Sequence, residues 1–443
     1  FACGVPECNM GIFKGKEYSV VKSLRAPKGR GNLIFLFVLS LLLLSIFITN
    51  SNAETKIIPV TNLSLYGGQY SLKGENTSFN GNLELFFTPV INFSPEKALM
   101  PMISLTYRGT KDVQELVGGG TMVREYADIG PVTLKYVHKY SDTFKAKIRG
   151  SYKIEYLKET KDETWQKGLF DYNKGLGGIE LEKAYPDTFW NLRVGVDYYV
   201  MKYSNYASLI SKSQTTLDTT TYQELSTNAG VNVLDYNTAE TFIELSHSFN
   251  DNLTGRLLYD FSLKDFLDQK IANTDGSFKS ELRKDIIHLL AFTLQGNTER
   301  AVLSLSDSIQ LYTSNQNSYD AGSTKYIPNF YGYFQNSLTP SVTFKLGQEQ
   351  PYSLFSLYWD IAFRQYADRL AQNSDATYTQ EKINQLTSTQ GLSILIPSPG
   401  IMRGLSFRLS ANNRSSQSNM KYEKYYLYNY SVVSYFAGVA LEY

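Results

Sequence analysis

Two cysteines, Cys3 and Cys8, are all the chain has, and both lie in its first eight residues. Everything after them lacks a thiol, which excludes disulfide staples, a thiolate nucleophile and a cysteine-ligated metal from the bulk of the protein. Histidine is almost as scarce: His138, His247 and His288 are far apart in sequence, and no His-x-x-x-His or carboxylate cluster has metal-ligand spacing. A barrel hydrolase needs a histidine aimed at a serine, and a barrel protease needs carboxylate–histidine pairs, and neither can be read from the chain. The 13 prolines do not gather into a linker, and no shift in composition marks a domain boundary. Charge is close to balanced, at +1 over 443 residues, which argues against a nucleic-acid binder. No enzymatic role, metal or cofactor is expected.

What the chain does have is 34 tyrosines and 25 phenylalanines on a modest apolar content of 42%. Amphipathic rings in that number suit a boundary between oil and water. Near the N-terminus Lys22, Arg25, Lys28 and Arg30 precede the apolar run Leu33 to Ile48, and the small residues Ser51, Asn52 and Ala53 follow. This is the pattern of a secretory signal peptide cleaved after Ala53, and the run is short of the ~20 residues a spanning helix needs. Residues 1–53 therefore read as a leader and 54–443 as one domain. The leader holds six of the basic residues and two of the acidic ones, so its removal turns the balance slightly negative.

From about Asn62 the chain reads as segments of ten to eighteen residues in period two. Trp190, Leu192, Val194, Val196, Tyr198 and Val200 alternate with Asn191, Arg193 and Asp197. Leu253, Gly255, Leu257, Tyr259, Phe261 and Leu263 alternate with Thr254, Arg256, Asp260, Ser262 and Lys264, and the same holds for Phe355 to Phe363 and for Ile401 to Leu409. Strands of a soluble sandwich run about five or six residues, roughly half this length. Short connections, at Ser141–Thr143, Asn250–Asn252, Gly296–Glu299, Gly347–Pro351 and Pro397–Gly400, take turns with longer polar ones at Ser204–Gly230, Asp268–Lys279, Ser314–Asn329 and Ala367–Lys382. Tilted strands with tight turns at one end and longer loops at the other predict an all-β, closed antiparallel transmembrane barrel, since hydrocarbon leaves an open sheet edge unpaired. Centres fall near Ser64, Leu85, Ile103, Leu134, Ile148, Ile179, Val194, Ile243, Tyr259, Leu290, Leu305, Val342, Trp359, Ile394, Phe407 and Val433, which makes sixteen. Fourteen or eighteen stay open, because Val117–Tyr140 reads as one strand or two. An even count puts both termini on the periplasmic side of a bacterial outer membrane.

The final strand, Ser434 to Tyr443, alternates up to its last residue. Its close resembles the C-terminal insertion signal of outer-membrane β-barrel proteins, with Gly438, Leu441 and Tyr443 at the glycine and the two apolar or aromatic positions. Phe436 stands where a polar residue is usual. The resemblance implies a porin-like barrel in outer-membrane lipid, whose last strand is bound as an edge by the barrel-assembly machinery.

The inward faces carry the candidate site. Lys135 and Lys139 lie on one strand and Lys145, Lys147, Arg149 and Lys153 on the next, six like charges on one wall that repel unless water or acids screen them. Glu180 and Glu182 follow on the next strand, and Glu240, Glu244, Asp260 and Asp360 lie further round. Such a lumen is either mutually neutralised and solvated or a transverse field across a pore. Sixteen strands enclose room for an aqueous channel. The expected function is a channel or passive transporter for small hydrophilic solutes, and the alternative is a structural barrel that anchors an envelope complex. Gly118–Gly120 has no strand–turn–helix setting and is no phosphate loop.

Overall fold

The computed structural model describes residues 56–72, 78–112, 122–158, 163–206, 232–320, 323–348, 350–398, 400–423 and 427–442. The leader with Ala53, the triplet Gly118–Gly120, most of Ser204–Gly230 and the terminal Tyr443 lie outside the described residues. The strands are β1 (Lys56–Leu72), β2 (Ser78–Ser94), β3 (Lys97–Asp112), β4 (Met122–Ser141), β5 (Phe144–Lys158), β6 (Tyr172–Tyr185), β7 (Trp190–Lys202), β8 (Tyr236–Asn250) and β9 (Leu253–Ala272). They continue as β10 (Phe278–Asn297), β11 (Ala301–Ser314), β12 (Ser318–Asp320), β13 (Lys325–Ile327), β14 (Tyr333–Leu346), β15 (Ser353–Gln372), β16 (Tyr378–Pro397), β17 (Leu405–Ser418) and β18 (Tyr430–Glu442). Every barrel strand pairs antiparallel with its neighbours in chain order, and β1 pairs with β18 to close a sixteen-stranded ring. The short strands β12 and β13 form a separate hairpin between β11 and β14. All sixteen expected centres fall inside barrel strands.

Alternation holds because one face meets hydrocarbon and the other water. Ile148, Ile179 and Val196 stand side by side in register, each more than half exposed, and Leu65, Leu245, Leu257, Leu303 and Leu409 continue the outward belt. Inward neighbours such as Ser64, Glu180, Asp197 and Ser262 are buried. The burial pattern is inverted relative to a soluble protein, as strands in lipid require. Aromatic residues crowd the outward face at the short-turn end: Tyr140, Tyr185, Phe189, Trp190 and Phe249. His138 packs edge-on against Tyr140, and His247 stacks on Trp190. His288, also outward, meets the Tyr259 hydroxyl at 2.9 Å. Among the described residues no group of His, Cys, Asp and Glu is placed to hold a metal ion.

Val117–Tyr140 is one strand from Met122 onward, with an interruption. At Gly130–Pro131 the register with both β3 and β5 shifts, so that Ile129 and Val132 both face outward across the step. A bulge of this kind inserts a residue without ending the strand. Ile401, read from its parity as a strand residue, lies instead in the turn before β17.

Two of the expected long loops are a correction. Asp268–Lys279 and Ala367–Lys382 continue β9–β10 and β15–β16 as ladders and turn only at Asn273–Ser277 and Asn373–Thr377. Their polar residues read as loop because, past the apolar belt, neither face has to be hydrophobic, whereas backbone pairing persists. The two hairpins match at an offset of one hundred residues: strand ends coincide, and the turns share one set of bonds. The Asp275 carboxylate accepts from the Ser277 hydroxyl at 2.6 Å, and Asp375 accepts from Thr377 at 2.7 Å. Asn273 and Asn373 donate to the same hydroxyls at 2.9 and 3.0 Å.

Candidate functional site in the barrel lumen

The expected basic wall exists, and it is paired. Lys147 reaches Glu180 and Glu182, both at 2.6 Å, and Lys145 reaches Glu182 at 3.2 Å. Arg193 on β7 donates from Nε to Glu180 and from Nη1 to Glu244, each at 2.9 Å, and Arg256 on β9 lies 3.6 Å from Glu244. One alternating ladder thus crosses five strands: Lys145, Glu182, Lys147, Glu180, Arg193, Glu244, Arg256. Lys153 is held by Asp128 and Glu155, both at 2.9 Å, and Lys139 by Asp142 in the turn at 2.6 Å. Lys135 alone of the six has no acidic partner among the described residues. The like-charge repulsion of an unscreened wall does not arise, and Glu180 and Glu182 supply the neutralisation.

Arg149 pairs with Asp197 two strands away. The three residues in register there are Arg149, Gly178 and Asp197, and a β-carbon on Gly178 would lie 1.7 Å from the Asp197 carboxylate. The glycine on β6 leaves the gap through which a β5 guanidinium meets a β7 acid. Glu240, Asp260 and Asp360 are held by hydroxyls: Ser262 for the first two, at 3.4 and 3.2 Å, and Thr339 for the third, at 2.9 Å. Gly438 on β18 faces inward against β1, where a β-carbon would lie 1.9 Å from the Leu65 carbonyl. Glycine at the expected signal position thereby lets the closing strands approach, and Leu441 pairs in register with Leu63 and Leu405.

A cavity of about 480 Å3 lies within the lumen and is lined from opposite walls, by Glu155 on β5 and by Arg414 on β17. Lys264, Asp360 and Arg364 share it with Tyr172, Tyr203, Tyr236 and Tyr312. Here the tyrosines correct the expectation of a lipid boundary, because many point inward. Tyr199, Tyr203, Tyr236, Tyr312, Tyr333, Tyr366 and Tyr428 are buried at the long-strand end. Cations stand over their rings, Lys174 3.7 Å from the Tyr199 centroid and Arg364 4.2 Å from that of Tyr333. A ring face takes a cation's charge while its hydroxyl meets water, so tyrosine suits a wet wall as well as an oily one.

At the same end two arginines fasten the segment before β14. Arg283 donates to Asp285 at 2.9 and 2.6 Å and stacks on Tyr331, and Arg369 stacks on Phe330 and donates to the Tyr428 hydroxyl at 2.6 Å. Parity alone could have placed Arg193, Asp197, Arg364 and Arg414 inward with the site residues, but no local motif singles them out.

Loop carboxylates secure the ends of β5 and β7. The Leu157 N–H donates to Asp171 at 2.8 Å, as does the Asn205 side-chain amide at 3.0 Å, and the Tyr203 N–H donates to Asp235 at 2.7 Å. Burial pushes Asp171 up to about 6 and raises Asp235 as well, against the N–H groups that pull the other way. A carboxyl raised by folding stabilises fully below its unfolded value near 4, and that contribution is lost as pH climbs through 6. Amide exchange protection at Leu157 is therefore expected to fall between pH 4 and 7 after correction for intrinsic rates, and Asp171→Asn to flatten the fall. Constant protection in the unaltered protein would contradict this.

No protein-family model matches the chain, and no curated protein matches it in sequence. Solved structures with similar shape include the anion-selective porin from Comamonas acidovorans, at 8% identity over 88% of this chain and 100% of that one, with a TM-score of 0.44. OmpT of Vibrio cholerae gives 7% identity over 89% and 99%, with a TM-score of 0.44. OccK2 (OpdF) of Pseudomonas aeruginosa gives 8% over 87% and 98%, with a TM-score of 0.43. Likeness at this level is one of overall shape. The chain's own architecture, sixteen antiparallel strands closed on themselves, apolar outside and charged within, is that of an outer-membrane β-barrel.

Proposed function

We propose that the barrel is a passive aqueous channel for small hydrophilic solutes, with the short turns and both termini at the periplasmic face and no catalytic role. The observation that supports this is the lumen itself. Its wall is built from ion pairs, hydroxyls and cation-capped rings around a cavity that reaches from β5 to β17, a surface that water and polar solutes can wet. Because most of the basic wall is neutralised, the net field is set by the other lumen charges, Lys135, Lys174, Lys264, Arg364 and Arg414 opposed by Glu240, Asp260 and Asp360. Charge selectivity is accordingly weak, and it is screened further as the Debye length shrinks from roughly 30 Å at 0.01 M to 3 Å at 1 M salt. The terminal strand acts in the same proposal as the segment that the barrel-assembly machinery binds.

Purified, refolded protein in a planar bilayer is expected to give discrete conductance steps, with a reversal potential near zero across a salt gradient at high ionic strength. Asp260→Asn with Asp360→Asn should move that potential towards anion preference at low salt. Protein that shows heat-modifiable gel mobility yet passes no current would overturn the channel and favour the anchoring barrel.

A further inference from the structure

The outward belt is not apolar all the way round. From β5 to β9 it is lined at mid-height by residues such as Ile148, Ile179, Val196, Ile243 and Leu257. Across β16 and β17 it is broken by Gln390 and Asn413, which pair in register, face outward and are both exposed. Neither side-chain amide makes a hydrogen bond among the described residues. On the outward face of β16 the exposed Leu392 stands on the short-turn side of Gln390 and the exposed Leu386 beyond Ser388 on the other, so Gln390 lies within the apolar belt, while on β17 the outward face from Asn413 through Ser415 to Gln417 is polar. On β11 and β14 a second polar couple faces the same way. Asp307 accepts from the Asn336 amide at 2.8 Å, between the exposed Leu305 and Ile309.

Acyl chains offer no hydrogen bond, and an unpaired amide in hydrocarbon is costly. Beside the amides lies a hollow of about 660 Å3 bordered by Leu303, Pro340, Trp359, Gln390, Asn413 and Val433. Lipid could fill that hollow but could not satisfy the amides. We propose that this face, β14 to β18, is where a second copy of the chain packs. Each amide carries donors and an acceptor, so the complement of the Gln390–Asn413 pair is another such pair. Trp359, 46% exposed, and the hollow beside it place a ridge and a recess on one surface, as a two-fold contact in which the same patch meets itself requires. Within β14 to β18 the outward residues of the patch are uncharged, and the one carboxylate at its edge, Asp307, is held by the Asn336 amide.

The test is cross-linking in native outer membranes, with Cys3 and Cys8 changed to serine. Gln390→Cys and Asn413→Cys are expected to give an oxidation-induced species of twice the monomer mass, and Leu257→Cys, on the far apolar face, to stay monomeric. Equal cross-linking at all three positions would mean random collision and would overturn the proposal, as would an adduct of any other mass. In a second measurement, light scattering in mild detergent, the unaltered protein should be larger than a monomer. The double variant Gln390→Leu with Asn413→Leu should lose that association while it keeps heat-modifiable mobility. Monomeric mass for unaltered, folded protein, without cross-links at 390 or 413, would reject the interface.

Discussion

Arg283→Ala is expected to loosen the long-strand end of the barrel by about 3–5 kcal/mol, the cost of removing one partner from a buried ion pair. The Arg283 and Asp285 side chains are 1% and 0% exposed, and the guanidinium holds both carboxylate oxygens. Alanine would leave the Asp285 carboxylate buried with the Tyr312 hydroxyl but without its guanidinium, and would also remove the surface on which Tyr331 and Phe266 pack, 3.5 and 4.2 Å from the guanidinium. The segment 315–332 should then become cleavable by added protease, and the temperature at which the barrel loses its compact gel mobility should fall. A double change, Arg283→Met with Asp285→Leu, removes both charges and should recover the larger part of the loss, because well-packed apolar replacements of a buried pair are often neutral or stabilising. Unchanged protease resistance in Arg283→Ala would show that the segment is held by other contacts.

Leu290→Arg is expected to abolish most insertion, whereas Ala291→Arg, one residue along, should insert close to normally. Leu290 is 44% exposed on the outward face, in register with Ile309 and Tyr259, and a charge near the bilayer midplane of a barrel costs ~2–4 kcal/mol. Ala291 points into the lumen, in register with Ser308 and Leu258, where a guanidinium keeps its water. The same substitution at adjacent positions thus reads the face directly. Outer-membrane yield, measured by the fraction with heat-modifiable mobility, separates the two. Equal yields would mean that the inside and outside of β10 are reversed, or that this stretch lies beyond the membrane.

The sequence by itself determined the class of fold, where the strand centres lie though not their number, and the side of the sheet that residues face wherever a strand runs without a bulge. This follows because hydrocarbon demands an apolar residue at every second position, a rule written along each strand without reference to any other. It also determined that Lys147 and Glu180 share the inner face. Only the tertiary structure decided who pairs with whom. Arg149 meets Asp197 across an intervening strand because the register sets Gly178 between them, and register is a property of the closed sheet rather than of any one segment. The polar extensions past Phe266 and Tyr366 were illegible for the opposite reason: outside the membrane no face must be apolar, so the period that marks a strand disappears while the ladder of backbone bonds continues. Tyrosine was ambiguous by its chemistry. A ring with a hydroxyl fits the lipid interface, as at Tyr140, and fits a wet lumen under a lysine, as at Tyr199, and the fold alone distributes them.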